Sequence, residues 1–317
     1  MPSASAASNK AQGFLGAIVT QQFADLLDTS FEKVYKRTWN KEIQGLSHFK
    51  QENTKRDSVK ESTITGLGLM QRNDDEDSLP LDTPLPGWDN ETTPLDYRLS
   101  IRVTERMRET DQWGQIGKLQ SMLARSPLDS IEYHSSDCFN TGFDSTGQFL
   151  CGDGMFLFDS GRPFEDASLG NWSNLETAAA LTADSFETAR LNFRATLNER
   201  GLLRPLNADK LTVPPALQKK AEEIFGSSLK PETSLNDVNF HKGQVKVDVW
   251  DYLTSSTAWF LCAPMDDLYE LKWYWRVRPN FKGNALSDNP DVYMQRARMS
   301  FAAGCLRPHS LRGNVGA

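Results

Sequence analysis

The sequence predicts a mixed α/β structural protein without a catalytic centre, and three stretches predict it. Tyr97, Leu99, Ile101 and Val103 alternate with Arg98, Ser100, Arg102 and Thr104, the period of two of a strand with one apolar face. The period then changes. Trp113, Ile116, Leu119 and Leu123, and beyond Pro127 also Leu128 and Ile131, fall at helical spacings of three or four. Leu271, Trp273, Trp275 and Val277 alternate with Lys272, Tyr274, Arg276 and Arg278, the cleanest strand pattern in the chain. A strand feeding a long helix is a backbone onto which other pieces pack. Pro127 has no N–H and crowds the preceding turn, so it is expected to kink or break that helix.

At 317 residues the chain is long enough for one large domain or two ordinary ones. Hydrophobic residues make up 38% and charged residues 24%, with a mean hydropathy of -0.53, which is polar for a compact globule and fits an extended shape or long loops. The net charge of -7 argues against a general nucleic-acid coat with a basic surface, although one local basic face is compatible with it. No apolar run approaches the roughly 18 residues of a membrane span. Residues 1–8 are small and polar, unlike a signal peptide. Cys138, Cys151, Cys262 and Cys305 are far apart and form no C-x-x-C, so four free thiols and assembly in a reducing cytoplasm are expected.

Taken in order, residues 1–12 read as a flexible arm. Phe14, Leu15, Ile18, Phe23, Leu26 and Leu27 make an amphipathic helix, either a core helix or an arm packed on another subunit, and residues 31–39 a further strand or short helix. From 41 to 94 a basic half (Lys50, Lys55, Arg56, Lys60) precedes an acidic half (Asp74, Asp75, Glu76, Asp77), a stretch far longer than the loops of compact domains. Residues 63–70 suit a β-hairpin limb, and Pro80, Pro84, Pro86 and Gly87 mark turns. The split of charge favours a limb that lies on a neighbour's surface of opposite sign.

Beyond the strand and helix, residues 147–158 look strand-like around an Asp153-Gly154 hairpin turn. Thr182 is a natural N-cap for a helix carrying Phe186, Ala189, Phe193 and Leu197, ended by Gly201. Residues 211–213 form a strand stopped by Pro214-Pro215, and Pro215 opens a helix closed by Gly226. Val245, Val247 and Val249, then residues 258–262, then Ala297, Met299, Phe301 and Ala303 give further strands, with Arg296 and Arg298 on the other face of the last. Residues 306–317 read as a polar tail.

The search for chemistry is negative. The four histidines show no metal-ligand spacing, and no phosphate loop, dinucleotide fingerprint or nucleophile elbow is present, so no cofactor or metal is expected. His134 and Cys138 stand four residues apart with Asp137 between them, the best candidates for an enzyme dyad, against the plainer reading of a surface histidine beside a buried thiol. Trp250, Trp259, Trp273 and Trp275 read as a sheet core, against the alternative of a base-stacking platform.

Six segments then carry a resemblance: V-T-E-R-M-R-E-T-D-Q-W-G-Q-I (103–116), F-N-T-G-F (139–143), D-G-M-F-L-F-D-S-G-R-P (153–163), L-N-E-R-G-L-L-R-P-L (197–206), L-T-V-P-P-A-L-Q-K-K-A-E-E-I (211–224) and N-D-V-N-F (236–240), followed by A-W-F-L (258–261). In order and spacing they resemble the major capsid proteins of tailed bacteriophages with the HK97-like fold, the group that includes Mu-like head subunits. The N-terminal third matches mainly in character, through T-G-L-G at 65–68.

The resemblance implies an α+β fold with an N-terminal arm (1–42), an extended loop reaching over the adjacent subunit (43–96), a peripheral domain with a long spine helix (97–146), an axial domain (147–268) and a return to the peripheral domain with the C-terminal tail (269–317). It implies a head protein that self-assembles into pentamers and hexamers, forming the icosahedral shell around double-stranded DNA contacted without sequence specificity. Separate scaffold, portal and decoration proteins would be its partners, with no membrane. Assembly would occur in the host bacterial cytoplasm, and the mature location would be the virion. Lys55, Arg56, Asp74, Asp75 and Glu76 are the expected inter-subunit contacts. The acidic balance fits a shell that does not grip packaged DNA tightly. The alternatives are an encapsulin-like nanocompartment shell, which shares the fold, and an enzyme built on His134 and Cys138.

Overall fold

The computed structural model describes residues 43–72, 80–111, 114–144, 149–228, 238–266, 268–282 and 292–317. The helix expected around Phe14–Leu27, the element at 31–39, Asp74, Asp75, Glu76 and Trp113 lie outside the described residues. In chain order the elements are β1 (Lys50–Asn53), β2 (Val59–Ile64), β3 (Pro86–Thr92), β4 (Leu95–Thr104), α1 (Glu105–Glu109), α2 (Gln115–Asn140), β5 (Arg162–Pro163), β6 (Asn171–Trp172), α3 (Ala183–Arg194), β7 (Lys210–Val213), α4 (Gln218–Phe225), β8 (Lys246–Val249), β9 (Trp259–Cys262), β10 (Leu271–Lys282), β11 (Val292–Cys305) and β12 (Leu311–Asn314). The chain divides into two compact units.

The first unit takes Leu95–Ile131 and Arg276–Phe301 among the described residues. Here β4 and β11 run antiparallel, Leu95 opposite Phe301 and Thr104 opposite Val292. The apolar residues of β4 point to one side, as the alternation predicts. Tyr97 stacks on Phe301 at 4.6 Å, and Ile101 packs with Ala297, Phe281 and Leu123 of α2. Asp111 opens α2, its two carboxylate oxygens accepting from the N–H groups of Gln115 (2.8 Å) and Ile116 (3.1 Å). The expected break at Pro127 does not occur, and α2 is continuous from Gln115 to Asn140. An interior proline costs about 3 kcal/mol. Leu123, Leu128 and Ile131 on the same helix are buried, each worth about 1.5–3 kcal/mol, and together they outweigh it.

The second unit takes the remaining described residues from Gln44 onward. Its sheet has the order β12-β9-β7-β8, with β8 parallel to β7 and the other neighbours antiparallel. Leu211, Val213, Trp259 and Leu261 of this sheet pack against Phe186 and Ala189 of α3 and Ala221, Ile224 and Phe225 of α4. Thr182 caps α3 as predicted, in a reciprocal capping box with Ser185. The helix ends at Arg194, short of Gly201, because the Thr196 hydroxyl donates to the Phe193 carbonyl (2.8 Å) and draws the chain out of register. Leu197 and Leu203 then pair across a tight turn in which Gly201 takes a φ of 72°.

Two further expectations are corrected. Residues 149–158 form no hairpin strands, although Asp153-Gly154 does turn the chain. They wrap around the buried guanidinium of Arg162, which donates to the Asp153 carboxylate, the Phe156 carbonyl and Asn174 Oδ1 (3.0 Å). A carbonyl aimed at a cation is not free to join a ladder. The polar tail is no tail either. β12 is buried along its whole length and pairs with β9, Leu311 opposite Cys262 and Asn314 opposite Trp259. Its long polar side chains find their partners inside the protein. Arg312 donates to Glu176 (2.6 Å) and the Asn192 carbonyl (2.9 Å), while Asn314 bonds the Thr177 carbonyl (2.8 Å) and the Ala179 N–H (3.1 Å). Gly313 leaves room for Phe158, whose ring would lie 2.7 Å from any added Cβ.

Phe139, in the last turn of α2, is the hub of the second unit's core. Its ring contacts those of His48, Phe49, Trp250, Phe158 and Phe260 at centroid distances of 5.2–6.3 Å. Trp250, Trp259, Trp273 and Trp275 are all buried, which makes them core and removes the stacking-platform alternative. The four cysteines are free and buried.

His309 stacks on Trp172 at 4.1 Å and is surrounded by Arg307, Arg162, Arg204 and Arg312. Burial and then these guanidiniums push its pKa down to about 3. His48, buried against Trp250, is also lowered, chiefly by burial. Both folded pKa values lie below the ordinary 6.5, so the stability these groups contribute is complete above that pH and is lost as pH falls through the folded values. Between pH 6.5 and 4.5 the His309 contribution falls by on the order of 2 kcal/mol. Urea denaturation of the free subunit across that window is expected to show the loss, and His309→Asn to flatten it.

Candidate assembly site

The enzyme candidates His134, Asp137 and Cys138 share the last turns of α2, where Asp137 acts electrostatically on both of the others. The Cys138 thiol donates to the backbone carbonyl of His134 (3.5 Å), and burial raises its pKa well above the usual thiol range. A buried thiol held neutral is a poor nucleophile. Among the described residues no group of three or more His, Cys, Asp or Glu is arranged to hold a metal ion, and no helix is long and apolar enough to cross a membrane.

What stands out instead is a limb on the second unit. β2 and β3 pair antiparallel, Val59 opposite Thr92 and Ile64 opposite Pro86, with a register shift after Ser62. Lys60 and Glu91, directly opposite, form an exposed ion pair at 3.1 Å. Glu61 is held at 2.6 Å by Lys272, which also reaches Glu52 at 3.6 Å. Thr65 and Leu85 close the ladder. The Thr65 N–H donates to the Leu85 carbonyl (3.0 Å), and the Leu85 N–H donates to the Thr65 hydroxyl (2.8 Å).

Past Thr65 the two legs of the limb are held by Arg200. Its guanidinium donates to the Gly66 carbonyl (3.1 Å) on one leg and to the Asp82 carboxylate and the Thr83 carbonyl (3.3 Å) on the other. Asp82 in turn accepts from the Gly68 N–H at 2.6 Å. The Gly68 N–H and then Arg200 hold its carboxyl below the usual range. The turn that carries Arg200 is itself fixed, because the neighbouring Glu199 is buried against Arg307, which also clasps Glu270 (2.9 and 3.4 Å). Beyond the clamp the limb is apolar and open. Leu67 is 65% exposed, Leu69 75%, Met70 103% and Leu81 94%, and they line a groove of about 720 Å³ with Asp166, Arg200 and Leu202. A cluster of large apolar side chains held out in water by an ionic clamp marks an interaction surface.

Arg200→Ala is expected to leave the subunit folded and to make the limb more susceptible to limited proteolysis near Leu69 and Leu81. Unchanged cleavage would show that the clamp does not order the limb.

Lys55 and Arg56, predicted as contact residues, are exposed in the turn between β1 and β2, where the Arg56 N–H donates to Thr54 Oγ1 (3.2 Å). No sequence pattern singled out Arg200. Its signal is visible only in retrospect, as a charged residue beside Gly201 in a tight turn.

No protein-family model and no curated protein matches the chain. Solved structures do. The chain is similar to one in the capsid of Myoviridae phage XM1 (TM-score 0.52, 10% identity, covering 87% of this chain and 92% of that one). It is also similar to one in the bacteriophage JBD30 capsid (TM-score 0.53, 13% identity, 66% and 90% covered) and to one from Microbacterium phage Oxtober96 (TM-score 0.51, 9% identity, 86% and 90%). The fold is therefore the HK97-like fold of phage capsid subunits. At identities of 9% to 13% this is a likeness of fold, spanning nearly the whole length of those chains.

Proposed function

We propose that this chain is the major capsid protein of a tailed bacteriophage and that it assembles into pentamers and hexamers forming an icosahedral shell around double-stranded DNA. The observation that carries the reading is fold similarity to a phage capsid chain over most of both chains. The exposed apolar limb supports it, since a surface of this kind is costly in a monomer and useful in a shell. Many weak contacts per subunit add to a strong one when each subunit is held by several neighbours. The role is structural and not enzymatic. Scaffold, portal and decoration proteins would be separate partners, assembly would take place in the host cytoplasm, and the product would be the virion.

In this reading residues 1–42 are the arm and the extended loop lies within 43–96, with β2, β3 and the legs beyond them as its limb. The spine helix is α2, the axial domain lies within 147–268, and 269–317 returns to the peripheral domain. Lys55 and Arg56 contact a neighbour, as do Asp74, Asp75 and Glu76. The reading is tested by sedimentation of the full chain coexpressed with its neighbouring genes. Megadalton particles are expected, and a species that stays monomeric throughout contradicts it. Lys55→Glu with Arg56→Glu is expected to reduce the yield of such particles without shifting the subunit's melting temperature. Normal yields would remove these two residues from the interface.

A further inference from the structure

Two of the four buried thiols meet. Cys151 and Cys305 are far apart in sequence, yet they lie side by side in the second unit with their thiols in hydrogen-bond contact. The backbones run together here. The Gly152 N–H donates to the Cys305 carbonyl (3.1 Å) and is shared with the Leu306 carbonyl (3.2 Å), while the Cys151 N–H turns back to the Met155 carbonyl (2.9 Å). Gly152 permits the approach, because a Cβ there would lie 2.6 Å from the Leu306 side chain. A disulfide needs Cα atoms within about 7 Å and side chains that converge. A backbone bond one residue from Cys151 meets the first need, and thiols in contact meet the second. The other two cysteines are bonded elsewhere, Cys138 to the His134 carbonyl and Cys262 to Thr212 and Tyr269. Buried thiols are by themselves ordinary core packing. This pair differs in its mutual contact and in the buried Arg162 guanidinium, which donates to the Cys151 sulfur at 3.6 Å. Fixed positive charge beside a sulfur favours the thiolate that reacts.

We propose that Cys151 and Cys305 form a redox site, which hydrogen peroxide converts to an intramolecular disulfide stapling the loop at 149–158 to the end of β11. The Cys151 sulfur, as a thiolate beside Arg162, attacks one peroxide oxygen. The O–O bond breaks, a sulfenic acid forms on Cys151, and the departing hydroxide leaves as water with the thiol's proton. The Cys305 sulfur then attacks the Cys151 sulfur. The S–O bond breaks, and the second oxygen leaves as water with the Cys305 proton. Two thiols and one peroxide thus give one disulfide and two waters, each sulfur losing one electron and each peroxide oxygen gaining one. Burial and then the neighbouring thiol hold the Cys305 pKa well above the usual range, and both side chains are closed to solvent. Oxidation is therefore slow and waits on local opening of the loop, where the adjacent Leu150 is 47% exposed. The bridge closes a long stretch of chain that holds α3, α4, β7, β8, β9 and β10, and such a closure restricts the unfolded chain more than the folded one. The bond does not depend on the capsid reading, but its timing does. A subunit made in a reducing cytoplasm keeps both thiols, and a shell released into aerated medium loses them.

The test treats the purified full chain with hydrogen peroxide after removal of reductant. Thiols are counted under denaturing conditions, and the linkage is read by peptide mapping without reduction. Two of the four thiols are expected to disappear, with one linked pair of peptides carrying Cys151 and Cys305. The melting temperature of the free subunit is expected to rise by roughly 5–10 °C and to return on treatment with dithiothreitol. Cys305→Ala is expected to abolish both the link and the rise, and Cys138→Ala to keep both. The mapping uses the wild-type chain, so a variant that fails to fold leaves the result readable. Four thiols surviving in the native protein overturn the proposal. So does a link through Cys138 or Cys262, or a Cys151 carried on to sulfinic acid beside a reduced Cys305. A Cys151–Cys305 link without a rise in melting temperature overturns its role as a staple. None of these readouts needs shells. Loss of the capsid reading would leave the disulfide standing, and a missing disulfide would leave the capsid reading standing.

Discussion

Phe139→Ala is expected to cost the subunit about 3–5 kcal/mol, the usual range for emptying a fully buried phenylalanine site. Phe139 is completely buried and touches five aromatic rings drawn from four separate stretches of chain: the turn before β1, the loop at Phe158, the segment after β8, and β9. Few of these neighbours can collapse into the space. His48 is stacked on Trp250, and the Trp250 indole is bonded at 3.2 Å to Glu132, whose carboxylate also accepts from the Gly45 N–H at 2.9 Å. The cavity therefore persists and its cost adds to the lost transfer energy. Denaturant unfolding of the free subunit measures it, and a loss below about 1 kcal/mol would show that the second unit's core is not organised around this ring.

The second large effect is on assembly alone. Changing Leu67, Leu69, Met70 and Leu81 to serine removes the apolar surface that the Arg200 clamp holds outward. Burying each such side chain at an interface is worth about 1.5–3 kcal/mol. Four of them, repeated at every neighbour contact, exceed what a shell of individually weak contacts can lose. Shell formation is expected to disappear while the melting temperature of the subunit stays unchanged, because all four side chains are exposed in the isolated chain. Shells at wild-type yield would place the limb outside the interfaces. A fall in subunit stability would mean that the groove is part of the core.

The elements that face water on one side were legible in the sequence. The alternation of Tyr97 to Thr104 became β4, that of Leu271 to Arg278 became part of β10, and Thr182 capped α3. Elements whose polar residues are paired inside the protein were not. Arg312 and Asn314 make residues 306–317 look like a solvated tail, because their partners Glu176, Thr177 and Ala179 are more than a hundred residues away in sequence. Residues 149–158 look like a hairpin because nothing local announces that Arg162 will take the Asp153 carboxylate and the Phe156 carbonyl. The continuous α2 shows a buried stripe outweighing a proline, a comparison of energies that spacing alone does not make.

The candidate site was half legible. The charge split and the prolines pointed to a projecting limb, and Arg98, Arg102, Arg296 and Arg298 each stood out as polar positions of an alternating strand. That the arginines meet on one face depends on the pairing of two strands nearly two hundred residues apart, which periodicity cannot supply. Net charge argued against a general basic surface and left one local basic face open.

The central claim is that this fold exists to build a closed shell. The most direct measurement is electron microscopy of the purified full-length chain, with light scattering for its mass, expressed alone and with its neighbouring genes. Closed isometric shells, or capsomers that convert into them, are the predicted result. A chain that remains monomeric under every one of these conditions would contradict it.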